Sequence, residues 1–247
     1  MKVIRLIFVL LLAVSFASCG SGRGKKDAEK KSKEVEVWTY LFDGTSTQGW
    51  RGYNKATFPE HGWEIVDGTL HCIGSGRGEA GGSGGDIIYD KKFSNFDLQL
   101  DWKISEGGNS GIFYLAQEVP GWEIYRTAPE MQVLDNERHP DAQAGKDGNR
   151  QAGSLYDLIP AVPQNAKPAG EWNTAEIKVY KGSVWHIQNG ETVLEYHLWT
   201  PDFDTLVAHS KFPAFNPDWA NVATEGYIGL QDHGDDVWYR NIRIREL

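Results

Sequence analysis

Residues 96–104, FDLQLDWKI, alternate without a break. Leu98, Leu100, Trp102 and Ile104 fall on one face of an extended chain, and Asp97, Gln99, Asp101 and Lys103 on the other. A helix would scatter those four apolar side chains around its surface, so the segment reads as a strand with one buried face. TAEIKVY (174–180) repeats the pattern with Ile177 and Val179. VWHIQNGETVLEYHL (184–198) reads as two strands around Asn189-Gly190, a turn pair that tolerates positive φ. GYIGLQDHG (226–234) and VWYRNIRIREL (237–247) read as two closing strands. No stretch carries a sustained helical period with caps at both ends, and no repeat of 20 to 50 residues is present. Many short strands in one stretch of this length predict an all-β jelly-roll sandwich. Two long loops are expected, near 73–86 and 136–173. The first, IGSGRGEAGGSGGD, lacks the Gly-Lys-Ser/Thr ending of a phosphate loop and reads as a turn or cover.

The chain divides into three parts. Lys2 and Arg5 precede an apolar run from Leu6 to Ala17, which is too short to span a bilayer and reads as a signal peptide over residues 1–18. Cys19 follows in SFASCG, where a bacterial lipoprotein would be lipidated, although Phe16 stands where leucine is commoner. Residues 19–37 then read as the lipidated cysteine and a flexible tether rich in Gly, Ser, Lys and Glu. With Cys19 lipidated, Cys72 has no intrachain partner, so the exported domain at 38–247 relies on its core. The expected location is the cell envelope, periplasm or outer membrane, with membrane contact only through the lipid. The chain has 25 basic and 34 acidic residues; leader and tether hold eight of the former and four of the latter, leaving the domain 17 against 30, or −13. Such a surface repels phosphodiesters, which excludes nucleic-acid partners. Ten tryptophans on an acidic, exported domain suit a neutral sugar better.

Several stretches then line up in order. LFDGTSTQGW (41–50), NSGIFY (109–114), EMQVLDN (130–136), LYDLIPA (155–161), GEWNTAEIKVYKGSVWHIQNG (170–190) and GYIGLQDHGDDVWYRNIRIREL (226–247) resemble the 3-keto-disaccharide hydrolase family of bacteroidete-type secreted lipoproteins. The resemblance covers nearly all of 38–247. It implies a concanavalin-like lectin/glucanase sandwich, in agreement with the strand pattern, and chemistry on glycosides already oxidised at C3. A C3 ketone acidifies the C2 hydrogen. Once a base removes it, the enolate can expel the C1 substituent, and water then adds back. That route needs a base, an acid for the departing oxygen, and donors or a cation at the enolate oxygen. Two other functions stay open: a non-catalytic glycan-binding module of the envelope, and a conventional glycoside hydrolase.

Candidate residues follow from strand parity. Glu130 and Gln132 share one face of a strand whose other face carries Met131 and Val133. They face either a cleft or solvent. Sandwich glycosidases commonly alternate three carboxylates on one strand; here the positions hold Glu130, Gln132 and Leu134, which speaks against double displacement. Gln231 and His233 share a face in GLQDHG, and His233, followed by Gly234, is the first choice for proton transfer beside Glu130. Arg240 would neutralise Glu130 or hold the enolate oxygen, unless it pairs on a sheet face. Asn109 and Ser110 offer hydrogen bonds to sugar hydroxyls or close a turn. Trp122 and Tyr156 are the rings expected beside the sugar. Asp135 and His139 complete the substrate-binding candidates, Asp135 also reading as a turn cap and His139 as a surface histidine. His71 and His186 read as structural. No cofactor is called for by a short ligand motif. Glu130, Asp135, His139 and His233 come from separated segments and leave calcium or another divalent cation open.

Overall fold

The computed structural model describes residues 37–76 and 82–247. The expected signal peptide, Cys19 and the tether to residue 36 lie outside the described residues, as do 77–81 of the glycine-rich loop. In chain order the strands are β1 (Thr39–Tyr40), β2 (Trp50–Gly52), β3 (Trp63–Val66), β4 (Thr69–Cys72), β5 (Ile87–Phe93), β6 (Phe96–Ile104), β7 (Asn109–Ala116), β8 (Glu130–Leu134), β9 (Asn173–Tyr180), β10 (Ser183–Gln188), β11 (Glu191–His197), β12 (Gly226–Leu230) and β13 (Val237–Glu246). They form two antiparallel sheets. One runs β11-β10-β9-β6-β13-β4-β3, with β1 paired to β13; the other runs β2-β5-β12-β7-β8. This is the all-β jelly-roll sandwich that the alternation predicts.

Parity decides which side chains meet between the sheets. Leu98, Leu100, Trp102 and Ile104 of β6 are at most 2% exposed. Ile112 and Tyr114 of β7 and Met131 and Val133 of β8 are wholly buried opposite them. The Asn189-Gly190 turn joins β10 to β11 with Gln188 opposite Glu191, and both turn residues have positive φ, 52° and 82°. That matches the right-handed twist of the strands it joins.

Two polar bolts cross the apolar core. Tyr114 donates to His186 Nε2 at 2.8 Å, Tyr196 donates to the Tyr114 hydroxyl at 2.6 Å, and His186 Nδ1 donates to Gly153 O at 3.0 Å. Burial pushes the His186 pKa down to about 4, so the ring stays neutral and this tautomer satisfies both nitrogens. Tyr114→Phe strips His186 Nε2 and Tyr196 of their partner and is expected to lower stability by about 1–2 kcal/mol, read by denaturant unfolding. In the second bolt Tyr239 donates to Ser110 Oγ at 2.7 Å, and Ser110 donates to Gln231 O at 2.7 Å. This corrects the expectation for Ser110. On β7 it points into the core with Ile112 and Tyr114, because parity separates it from Asn109.

One helix differs from expectation: α1 (Pro201–Ala208), between β11 and β12. Its start is legible after the fact. Thr200 caps it by accepting from Phe203 N at 3.2 Å, Pro201 opens it, and Asp202 and Asp204 sit in its first turn. At two turns it is too short to show a period. It buries Phe203 and Val207 and delivers the following residues, 210–215, to the outer face of the five-stranded sheet.

Candidate active site

The site lies on that outer face, where β8, β7 and the end of β12 run side by side. Gln132 stands opposite Gly111, Asn109 opposite Leu134, and Gln231 N donates to Gly111 O at 3.0 Å. Odd positions of β7 and even positions of β8 therefore point outward together. Glu130, Gln132, Asn109, Gln231 and His233 all line one cavity of about 230 Å³. Gly111 lies directly against the Glu130 side chain. A Cβ there would lie 2.0 Å from Glu130 Oε1, so the carboxylate occupies space that only glycine leaves. The walls come from outside the sheet: Tyr125, and Lys211, Phe212 and Phe215 beyond α1. Phe212 stacks on Trp219 with centroids 4.1 Å apart, which fixes that wall. A second, wider cavity of about 440 Å³ shares Asn109, Tyr156, Lys211 and His233 and adds His139, Asp141 and Arg150. The rings of His139 and His233 meet edge to face, 6.2 Å apart.

The polar atoms at the cavity are unusually free. Asn109 Oδ1, Gln231 Oε1 and His233 Nδ1 are buried with no partner among the described residues. Such atoms lose hydration without replacement, which is tolerable where a ligand supplies the missing bonds. Glu130 is 5% exposed, and burial pushes its pKa up to about 8; Lys211 opposes this, while Asp86 and Asp141 add to it. Burial lowers the pKa of His233; nearby His139 adds to this and Asp235 opposes it. At neutral pH the cavity therefore holds a protonated carboxyl and an unprotonated imidazole, a ready acid and a ready base. Lys211 is lowered by burial and by Arg150. It donates to the Tyr156 hydroxyl at 2.8 Å, and Tyr156 donates to Asp141 at 2.7 Å. Asp141 in turn accepts from Arg150 at 2.7 Å.

The remaining expected residues divide. Tyr156 lies at both cavities and His139 at the wider one, its Nδ1 accepting from Asp141 N at 3.1 Å. Three residues expected at the sugar lie elsewhere; for Asp135 and Arg240 the contacts are those of the alternative readings, a turn cap and a sheet-face ion pair. Asp135 turns inward after β8 and accepts from Gly107 N (2.7 Å) and Glu137 N (3.1 Å), so its carboxylate caps turns. Trp122 is half-buried and does not line the cavity; Tyr125, three residues on, supplies the ring. Arg240 projects from the outer face of the other sheet, where it bonds Asp101 at 3.0 Å and covers Trp172 at 3.9 Å. Parity on β13 sends Tyr239 inward and Arg240 away from Glu130. Lys211, Phe212, Phe215 and Tyr125 are the residues that strand parity misses, since none lies on a strand. Among the described residues no group of three or more His, Cys, Asp or Glu is placed to hold a metal ion.

Comparison with known proteins adds an independent observation. Residues 37–245 match the family model of the 3-keto-alpha-glucoside-1,2-lyase-like domain. A 3-keto-disaccharide hydrolase of Bacteroides thetaiotaomicron is 52% identical over 258 residues, covering 96% of this chain and 87% of that protein. A solved structure from Parabacteroides distasonis, provisionally assigned as a glycosyl hydrolase, is 30% identical with a TM-score of 0.74, covering 85% of this chain and 94% of that one. A second from the same organism, with the same provisional assignment, is 29% identical with a TM-score of 0.67, covering 86% and 100%. A Bacillus subtilis protein with a galectin-like fold, 14% identical with a TM-score of 0.52 and covering 85% of this chain and 98% of that one, shares the fold alone.

Proposed function

Because the chain belongs to the 3-keto-alpha-glucoside-1,2-lyase-like family, we propose that it is a carbohydrate-active hydrolase/lyase that cleaves 3-keto-glycosides by elimination followed by hydration. The observation that carries this reading is the meeting of Glu130 and His233 at one cavity with opposite resting protonation. His233, neutral, takes the C2 proton, and the electron pair passes to the C3 oxygen as an enolate. The enolate re-forms the ketone and expels the C1 substituent, whose oxygen takes the proton of Glu130. Water then adds at C1, giving a proton back to Glu130, while His233 returns its proton to C2. The net change is hydrolysis, and both groups end as they began. Asn109, Gln132 and Gln231 supply donors and acceptors for ring hydroxyls. Glu130 is the single carboxylate among the described residues lining this cavity, whereas double displacement needs a second about 5 Å away. The enzyme is proposed to act outside the cytoplasm, held by a lipid on Cys19; the leader sequence supports this.

The test compares a 3-keto-disaccharide with its unoxidised parent in D2O. Release of both sugars from the oxidised substrate alone, with deuterium entering C2, supports elimination. Equal cleavage of the parent without exchange contradicts it, and sugar binding with no turnover of either favours a binding module. The pH profile is a second prediction. His233 must be neutral, so kcat/KM falls as pH drops through its lowered pKa, below the ordinary 6.5. Glu130 must be protonated, so kcat/KM falls as pH rises through about 8. A profile flat through pH 8 would contradict the assignment of Glu130 as the acid.

A further inference from the structure

Removing a C2 proton leaves negative charge on the C3 oxygen, and Glu130 and His233 do not balance it. Lys211 is the single lysine or arginine among the described residues lining the cavity. It makes no ion pair there; its polar contact is the bond to the Tyr156 hydroxyl, and its Nζ lies 4.2 Å from the centre of that ring. Tyr156 is committed as donor to Asp141, so its oxygen can only accept from Lys211. The contact spends one N–H of the ammonium and leaves two for the cavity. The backbone is held as firmly: Lys211 N donates to Asp157 Oδ2 at 3.2 Å, and the next residue, Phe212, stacks on Trp219. A counter-ion for Glu130 would touch it and hold its carboxyl below the usual carboxylate range. Instead the two are not in contact, and burial prevails at Glu130.

We propose that the Lys211 ammonium holds the C3 oxygen of the oxidised ring and takes up the charge that develops there as the C2 hydrogen leaves. This rests on the elimination reading above and adds the electrostatic component that reading lacks. The ammonium keeps its proton throughout. The electron pair from C2–H moves into C2=C3, the C3 oxygen becomes an oxyanion against Lys211, and the pair then returns as C1–O breaks. Within a site shielded from water, such a fixed donor acts mainly on the transition state.

The experiment uses the intact protein, a 3-keto-disaccharide and NMR in D2O. Lys211→Met is expected to lower kcat by about 10²–10³-fold, with KM changed far less, and to slow deuterium exchange at C2 of the free 3-keto sugar in parallel. Lys211→Arg, which keeps a cation, recovers part of both rates. Lys146→Met, an exposed lysine outside both cavities, leaves them unchanged. Thermal unfolding of each variant separates a folding defect from a chemical one. Wild-type exchange in a folded Lys211→Met protein, or an effect confined to KM, overturns the proposal. So does a covalent adduct on Lys211 trapped by borohydride, which would mean amine chemistry. If the unaltered protein neither turns over nor exchanges the oxidised sugar, the elimination reading itself fails.

Discussion

Glu130→Gln is expected to lose turnover of a 3-keto-disaccharide by about 10²–10⁴-fold, the range of a general acid, while the folded protein becomes more stable. Both effects have one cause. The carboxyl lies over Gly111 in a pocket walled by Tyr125, Phe212 and Phe215, with no hydrogen-bond partner among the described residues. Burial there favours the neutral form and raises the pKa from an ordinary 4.5 to about 8. In the unfolded chain the group ionises near its ordinary value. Between these two pH values the folded state keeps a proton that the unfolded state has released, so the stability linked to this group is lost as pH rises through the window. The limit is on the order of 5 kcal/mol at alkaline pH. A glutamine carries no charge to desolvate and escapes the loss. Chemical denaturation of the two proteins at pH 5 and pH 9 should therefore show a stability gain that is small at the lower pH and several kcal/mol at the higher. A variant that loses activity with the same stability difference at both pH values would show that Glu130 is not ionised with difficulty, and the acid role would lose its basis.

Asp232→Ala is expected to cost about 3–5 kcal/mol of stability. Asp232 sits between Gln231 and His233, and its side chain is wholly buried. Its Oδ2 accepts from Gly84 N at 2.8 Å and Gly85 N at 2.9 Å, and its Oδ1 from Gly234 N at 3.0 Å. Deleting the carboxylate orphans three buried or half-buried backbone donors at once. For a domain of this size the thermal midpoint should fall by roughly 10 °C or more. A drop of only a degree or two would mean that water replaces the carboxylate and that the glycine-rich loop does not depend on it. Crowding around this carboxylate and the neighbouring backbone explains why residues 82 and 84 are glycine. A Cβ on Gly82 would lie 1.9 Å from Asp232 Oδ1, and one on Gly84 would strike His61 O at 2.7 Å.

The two variants mark the boundary of what local pattern reveals. Period-2 alternation is a property of neighbouring residues. It suffices to put Glu130 and Gln132 on one face, to put Gln231 and His233 on another, and to make the chain a sandwich. It does not say which groups a side chain will meet. Asp135, one residue past β8, keeps the inward parity of Met131 and Val133, and its carboxylate is taken up by turn hydrogen bonds rather than by a cleft. Arg240 follows parity on β13, yet β13 belongs to the other sheet, so its outward face points away from Glu130. Parity also places Ser110 opposite to Asn109, against the expectation that both reach the sugar.

By itself, the sequence determines the strands, their buried faces and the two polar pairs, because each follows from spacing within a few residues. Only the tertiary structure decides that those pairs line the same cavity, and that Lys211, some eighty positions beyond Glu130, closes it with Phe212 and Phe215. The reason is physical. Which strands become neighbours, and which irregular segment covers a sheet, depends on the burial of apolar surface summed over the whole chain, and no window of adjacent residues contains that sum.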